Sequence, residues 1–312
     1  MNRVLRFGLL ASIGLLAAAS SALAQRTSYI GFVYPGGGQQ GTTFQVRVGG
    51  QRLLGLRGGV VTGEGVEVKL VASRRRLSNQ EVSLMREQVR ELRRPTARKR
   101  GEKKRPKPLD PETQKIVDRI DLRIKEWVNR PACAALAELA ILEVTVAPDA
   151  KPGARELRLI TGIGPTNPMA FYVGQVPEVT RKPMRTSVFQ VLGKEALAQR
   201  KRPPEEEEVT ITVPSTMNGQ IASGEVNRYR FQARKGQRLV VSVKARELVP
   251  YIADAVPGWF QPVLMLHDAD GKEVAFNDDY RFKPDPTLCF EVPEDGEYVP
   301  VSYTHLRAHE TN

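Results

Sequence analysis

Residues 43–48 of this 312-residue chain read Thr-Phe-Gln-Val-Arg-Val, and residues 66–70 read Val-Glu-Val-Lys-Leu. In both stretches apolar and polar side chains alternate with a period of two, which is typical of a strand with one buried face. The strands are short and are not separated by regular crossover helices, so the pattern predicts a β-sandwich over residues 25–176. The same alternation returns in three later segments of that range, at 142–146, 157–159 and 171–173.

A helical pattern interrupts these strands. Ser78 and Glu81 have the spacing of a capping box, and Asp110 followed by Pro111 is typical of a second helix start. After each start, apolar residues recur at three- and four-residue steps. We therefore predict an α-helical hairpin inserted over residues 74–131. The predicted apolar stripes are Val82, Met85, Val89 and Leu92 in the first helix, and Ile116, Ile120, Ile124, Trp127 and Val128 in the second.

The segment that contains the first helix and the following loop is strongly basic. Residues 74–107 hold fourteen Lys or Arg against four Glu, a net charge of +10. The whole chain carries +12, and removal of Arg3 and Arg6 with a signal peptide leaves +10, so the positive excess is local. A solvated loop without a ligand is the alternative to a binding site. The candidate polyanion-binding residues are Arg98, Lys99, Arg100, Lys103, Lys104 and Arg105.

The first residues predict export. A basic start precedes the apolar run 7–19, and the small residues at 20–24 are typical of a signal peptide, 1–24, cleaved after Ala24. The apolar run is shorter than the ~20 residues that span a bilayer, although a retained anchor is the alternative. No later segment is apolar enough to cross a membrane. We expect a periplasmic, cell-surface or secreted protein.

Export also restricts the partners of the basic segment. Anionic glycans, lipid head groups or another surface protein are the expected partners in that compartment. Nucleic acid is not expected, because no aromatic residues interleave with the charges as stacking on bases would require.

A second β-rich region follows a change in composition. Residues 177–208 lose periodicity and end in a run of four glutamates, which is typical of a solvated linker. Alternation resumes over residues 209–300, where the turn 268–271 predicts a hairpin. The fold class we predict is mainly β, with two β-sandwich domains, the first interrupted by the helical hairpin.

Six segments of the second region occur in an ordered set, at 219–221, 224–231, 233–239, 264–272, 277–279 and 293–298. On these segments the second region resembles the bacterial pre-peptidase C-terminal (PPC) domain, a secreted, jelly-roll-like β-sandwich. The resemblance implies an accessory domain that is often attached to secreted peptidases and is not itself the catalyst. Asn227 stands where that family usually has Asp. The first domain, closed by residues 177–179, resembles the immunoglobulin-like (IPT/TIG-like) modules that precede PPC domains in large exported bacterial proteins.

Calcium binding is one implication of the PPC resemblance. Some relatives bind calcium through acidic loops, and calcium takes six to eight oxygen ligands. An ordinary turn with a solvated acidic neighbour is the alternative, and we expect no other cofactor. The matching oxygen donors in this chain are Asp268, Asp270, Asn277, Asp278 and Asp279.

Catalytic residues are not predicted. Outside residues 301–312 the only histidine is His267, and no Gly-x-Ser-x-Gly, His-Glu-x-x-His or Cys-x-x-Cys motif accompanies it. Cys289 lies in a strand-like segment, where we expect a buried thiol that acts as a small hydrophobe. These observations favour a non-catalytic interaction or adhesion protein, seen as its N-terminal modules. The alternative is an accessory region of a secreted peptidase whose catalytic domain lies outside this fragment.

Residues 301–312 form a distinct stretch at the end of the sequence. Residues 301–311 resemble the conceptual translation of a transposon-type sequencing adapter, and the match covers the whole stretch. We therefore exclude 301–312 from fold prediction as an artefact. The expected consequence is a truncated second sandwich with an open edge, because the strand after Tyr298 would be lost.

Overall fold

A computed structural model describes residues 27–93, 109–125, 138–182, 204–220, 226–248 and 262–304. Within these residues the chain is mainly β and forms two β-sandwiches, which confirms the predicted fold class. The elements of the first half are β1 Tyr29–Tyr34, β2 Gly37–Gln39, β3 Thr43–Gln51, β4 Gly58–Val61, β5 Val66–Arg74, α1 Asn79–Leu92, α2 Pro111–Lys125, β6 Glu138–Val146, β7 Gly153–Thr161, β8 Gly164–Pro165 and β9 Met169–Gly174. The elements of the second half are β10 Glu178–Thr180, α3 Pro204–Glu207, β11 Glu208–Thr210, β12 Thr216–Asn218, β13 Val226–Ala233, β14 Arg238–Ser242, β15 Pro262–His267, β16 Glu273–Asn277, β17 Thr287–Glu291 and β18 Gly296–Thr304.

The first sandwich packs a four-stranded sheet face to face with a five-stranded sheet. One sheet has the order β1-β3-β6-β5 and the other β2-β9-β7-β4, with β8 paired to β7. Most neighbours are antiparallel, whereas β2 runs parallel to β9. Alternate residues of each strand face inward, as the two-residue period predicted. The side chains that fill this core include Val46, Val48, Leu142, Val144, Leu157, Leu159 and Phe171.

The helical insertion is confirmed where the structure describes it. Helix α1 follows β5, α2 follows α1, and the chain returns to the same sheet as β6, which pairs with β5. The predicted signal peptide 1–24 and the basic segment 94–108 lie outside the described residues, as does the end of the second predicted helix stripe, Trp127 and Val128.

The second sandwich combines a five-stranded sheet, β11-β13-β18-β15-β16, with the two-stranded sheet β14-β17. The hairpin predicted around residues 268–271 joins β15 to β16. Register pairs Val240 with Cys289 on the outward face of the small sheet, and both side chains are exposed. The expected burial of Cys289 is therefore wrong. The inward side chains include Tyr229, Phe231, Leu239, Leu264, Leu266, Leu288 and Tyr298.

Strand β18 corrects the expected loss of the last strand. It continues through Thr304 and lies between β13 and β15, so it is a central strand and not a missing edge. Val301 pairs with Arg228 on one side and with Met265 on the other, and it is buried. The physical reason is that Val299, Val301 and Tyr303 recur at every second position, an alternation of β-branched and aromatic residues that fits a strand.

The predicted linker is ordered at both of its described ends. Residues 178–180 form β10, which runs parallel to β12, and Arg181 is only 4% exposed. Val179 and Met217 pack against the core of the second sandwich. The start of this segment is therefore part of the second sandwich and not a solvated spacer, while residues 183–203 lie outside the described residues.

Asn218 connects the two sandwiches at this point. Its side-chain oxygen accepts a hydrogen bond from Gly36 N at 3.2 Å, and its backbone oxygen accepts one from the Tyr34 hydroxyl at 3.2 Å. A second contact lies nearby, where the Tyr172 hydroxyl donates to Glu247 at 2.9 Å. Tyr34 and Tyr172 belong to the first sandwich, so hydrogen bonds fix the two sandwiches to each other.

Candidate anion-binding surface

Side-chain caps fix where both helices of the insertion begin. Ser78 Oγ accepts from Glu81 N at 3.2 Å and Glu81 Oε2 accepts from Ser78 N at 2.8 Å, which is the predicted capping box. Asp110 Oδ1 accepts from the backbone N–H of Glu112 at 3.1 Å and of Thr113 at 2.9 Å. Both caps were readable from the sequence because they depend on residues two or three positions apart.

The helices face each other through a narrow apolar stripe. Val82 and Val89 of α1 and Val117 of α2 are buried. Ile116 was predicted in this stripe, but it is 46% exposed, and Val117 takes the buried position. Arg93 and Asp121 join the two helices by an ion pair at 2.6 Å.

Strand register places two arginines on the face of the first sheet that points away from its core. Arg47 of β3 pairs with Ile141 of β6, and Arg74 of β5 pairs with Leu139 of β6. Because Ile141 and Leu139 are two positions apart, they lie on one face of β6, and both arginines share that face.

Two further arginines lie at the base of the hairpin. Arg123 of α2 donates a hydrogen bond to the backbone oxygen of Arg75, which ties the second helix to the end of β5. The Arg75 side chain forms an ion pair with Glu81 in the first turn of α1. We call Arg47, Arg74, Arg75 and Arg123 the arginine cluster.

The pKa shifts show that these charges lie close together. Burial lowers the pKa of Arg123, and the charges of Arg74 and Arg75 lower it further, against the opposite effect of Glu81. Burial also lowers the pKa of Arg74, with a contribution from the charge of Arg47. Burial lowers the pKa of Arg47 as well. An arginine nevertheless stays protonated at neutral pH, so Arg47, Arg74 and Arg123 hold repelling positive charges in partly dehydrated positions, whereas Arg75 is exposed.

Glu81 opposes part of this charge. The hydrogen bond from Arg75 and the backbone N–H of Ser78 lower the pKa of Glu81 to about 2. The Arg75 pKa is raised by the same hydrogen bond. Glu81 is therefore ionised at neutral pH and neutralises Arg75 while it also caps α1.

Guanidinium groups in this arrangement suit anionic ligands. An arginine presents N–H donors in a planar fork that matches carboxylate, sulfate or phosphate oxygens, and it is less strongly hydrated than a lysine ammonium. An anion bound at the cluster would reduce the repulsion between its members. The cluster can thus bind and orient an anionic group without performing chemistry on it.

The structure adds residues that the sequence pattern missed. The six predicted polyanion-binding residues, Arg98 to Arg105, lie outside the described residues. Arg74 and Arg75 were counted within the basic segment, but Arg47 and Arg123 were not singled out. Arg47 lies in a strand alternation and Arg123 on a helix of mixed charge, so no local signal distinguishes either one.

The predicted calcium ligands divide into two groups. Leu264 pairs with Asn277, so Asp268 lies four residues along β15 from Asn277, or about 13 Å at strand spacing. Asp268 and Asp270 lie at the turn of the hairpin, whereas Asn277, Asp278 and Asp279 lie at its other end. The five residues do not form one site, and calcium binding by either group stays a prediction.

The Asp268 carboxylate already has backbone partners. Its Oδ1 accepts from Asp270 N at 3.1 Å and from Lys272 N at 2.9 Å, which closes the turn. Across the described ranges no group of three or more His, Cys, Asp or Glu side chains is placed to hold a metal ion. His267 lies half-buried at the end of β15.

No protein-family model matches the sequence of this chain, and no curated protein matches it. The PPC and immunoglobulin-like (IPT/TIG-like) resemblances therefore stay predictions. Among the described helices, none has the length and apolar character needed to cross a membrane.

Three solved structures align with most of the chain at low similarity. Lac15 from a marine microbial metagenome is 13% identical over 87% of this chain and 53% of its own, with a TM-score of 0.18. The Yersinia pseudotuberculosis adhesin InvE is 10% identical over 88% and 50%, with a TM-score of 0.18. The C-terminal domain of the Streptococcus agalactiae antigen I/II polypeptide BspA is 7% identical over 89% and 90%, with a TM-score of 0.20. This chain spans about half the length of the first two, and at these TM-scores the likenesses carry no argument about fold or function.

Proposed function

We propose that this chain is a non-catalytic, exported interaction protein that binds anionic surfaces through its basic helical hairpin. The observation that supports this most is the arginine cluster, which lies at the base of the hairpin and faces away from the sandwich core. Arg74 and Arg75 of the cluster also begin the segment 74–107, whose net charge is +10. One end of the first sandwich therefore concentrates positive charge.

The mode of binding follows from the kind of charge involved. Many Lys and Arg residues without interleaved aromatic groups attract polyanions of any sequence. At physiological salt the Debye length is about 8 Å, so only close contacts survive. Binding should weaken steeply between low and physiological salt.

The test replaces the six loop residues Arg98, Lys99, Arg100, Lys103, Lys104 and Arg105 with Gln. We expect this variant to elute from a heparin column at clearly lower salt than the parent, with an unchanged thermal midpoint. The matched control removes six exposed positive charges from other surfaces, at Lys151, Arg234, Lys235, Arg238, Lys272 and Lys283. This control should elute close to the parent, because binding depends on local and not on total charge.

Equal elution of the loop variant and the parent would contradict the proposal, and the hairpin would then be a solvated insertion. If both six-residue variants eluted from heparin at equally reduced salt, net charge and not its location would be responsible for binding. The alternative of an accessory region in a secreted peptidase stays a prediction, since the described residues do not bear on a catalytic domain elsewhere.

A further inference from the structure

Two exposed aliphatic side chains lie on neighbouring loops at one end of the first sandwich. Leu54 belongs to the loop between β3 and β4 and is 70% exposed. Ile163 belongs to the turn between β7 and β8 and is 64% exposed. The two loops touch, because Gly162 N donates to the Leu54 carbonyl oxygen at 3.3 Å. We call Leu54 and Ile163 the apolar tip.

The loops below the apolar tip are firmly held. Ser28 Oγ donates to the Arg52 carbonyl oxygen at 2.8 Å and lies 2.9 Å from Thr161 Oγ1. Leu53, next to Leu54, is buried, and its N–H donates to Glu138 Oε2 at 2.6 Å. The exposure of Leu54 is therefore built into a fixed loop and does not result from a loose segment.

The backbone of this loop has an unusual conformation. Arg52 has a φ of 57° and Gly55 a φ of 66°, so both residues occupy the left-handed region on either side of Leu53 and Leu54. Glycine adopts that region freely, whereas arginine does so at a cost in free energy. In this conformation the loop places Leu53 in the core and Leu54 in solvent, and the fold tolerates the cost in free energy.

Two positively charged residues flank the apolar tip in sequence. Arg52 and Arg57 are exposed on the same loop as Leu54. The helical hairpin leaves the sheet at the same end, because β3 pairs Gly50 with Glu138 of β6 while β5 pairs Arg74 with the adjacent Leu139. The arginine cluster and the apolar tip thus lie toward the same end of the first sandwich.

We propose that the apolar tip inserts into an anionic lipid surface while Arg52 and Arg57 contact the head groups. This rests on the proposed function, because the arginine cluster at the same end of the first sandwich provides the attraction, and it adds lipid as the partner. Apolar side chains ringed by basic ones bind membranes through both burial and charge. An anionic glycan offers no hydrocarbon phase for Leu54 and Ile163, so lipid fits this end of the molecule better.

The test measures co-sedimentation of the full chain with vesicles of equal phosphatidylglycerol and phosphatidylcholine at physiological salt. We expect the double variant L54S/I163S to bind roughly ten- to a hundredfold more weakly than the parent, because two aliphatic side chains no longer leave water. Its heparin elution should stay that of the parent. The matched control is V240S, since Val240 is also 70% exposed but lies on the second sandwich, and it should bind like the parent.

A gain-of-signal variant guards against misfolding. In L54W, the added tryptophan emission should shift to shorter wavelength with the phosphatidylglycerol vesicles, after subtraction of the parent spectrum, and should not shift with heparin. Equal vesicle binding by L54S/I163S and the parent, or an unshifted L54W emission, would overturn the lipid inference while leaving the heparin result intact. Loss of heparin binding in the loop variant alone tests the proposed function separately.

Discussion

Glu178 is a carboxyl group whose surroundings disfavour its charge. It lies on β10 at the junction of the sandwiches, beside a cavity of about 150 Å³ whose lining includes Pro35 and Phe44. Burial raises the pKa of Glu178 above its ordinary value of 4.5, and the hydrogen bond from Asn218 Nδ2, at 2.8 Å, opposes this in part. The junction therefore depends on pH through this residue.

Glu178→Gln should raise stability at neutral pH. A carboxyl with a raised folded-state pKa binds more protons in the folded chain, so its contribution is fullest below the unfolded pKa and is lost as pH rises through the folded pKa. A neutral glutamine still accepts the hydrogen bond from Asn218, and its contribution to stability does not fall as the pH rises. Thermal midpoints between pH 4 and 8 should show a flatter profile and a higher value at the neutral end. The exposed Glu67→Gln is the control, and a parent-like profile for Glu178→Gln would refute the expectation.

At the scale of elements, only a narrow apolar surface holds helices α1 and α2 of the insertion together. Its buried positions include Val82, Val89 and Val117, whereas Leu84 and Leu122 are exposed. The period of the pattern was correct for both helices, and Ile120 and Ile124 of α2 are half-buried as predicted, but Val117 is buried in place of Ile116. Ile116 and Val117 are both apolar, so sequence alone does not decide which of them faces α1.

The pair Val117→Ala and Ile116→Ala separates the two phases. Val117→Ala should destabilise the hairpin by about 2 kcal/mol, since two buried methyl groups are lost and a cavity remains. Ile116→Ala should change stability by no more than about 0.5 kcal/mol, as is usual at exposed sites. Amide hydrogen exchange of α1 and α2 measures both effects. If Ile116→Ala destabilised the hairpin more than Val117→Ala does, Ile116 would be the buried residue, as the sequence pattern predicted.

For the whole molecule, Arg181 is the residue that links the predicted linker to both sandwiches. Its guanidinium donates to the backbone oxygens of Arg228 at 3.2 Å and Glu207 at 3.1 Å, and it lies over the ring of Tyr229. Its own backbone oxygen accepts from the Tyr34 hydroxyl of the first sandwich at 2.5 Å. The buried guanidinium of Arg181 thus fixes this segment to the second sandwich, and its backbone oxygen adds one hydrogen bond to those that join the two sandwiches.

Arg181→Gln should destabilise the second sandwich by about 3 kcal/mol, because buried carbonyl oxygens lose charged donors. The neighbouring Lys182→Gln is the control. Lys182 is 79% exposed and pairs with Glu206 at 2.6 Å, so its loss should cost at most about 1 kcal/mol. Denaturant unfolding measures both, and similar effects for the two variants would show that Arg181 is not a structural anchor.

The sequence by itself determined the local features of this protein. The two-residue alternation predicted the strands, the capping residues predicted the helix starts at Ser78 and Asp110, and the turn after His267 predicted a hairpin. Each of these depends on side chains within about four positions of each other, where backbone geometry fixes which groups meet. The mainly β fold with a helical insertion follows from the order of those features.

Only the tertiary structure decided which distant residues share a surface. Arg47 meets Arg74 because strand β6 lies between their strands in a particular register, and Arg123 reaches Arg75 because α2 packs on α1. Register also separates Asp268 from Asn277, and packing buries Arg181 within a segment whose composition is typical of a linker. These outcomes depend on long-range pairing and on the complementary packing of side chains, and no window of neighbouring residues contains that information.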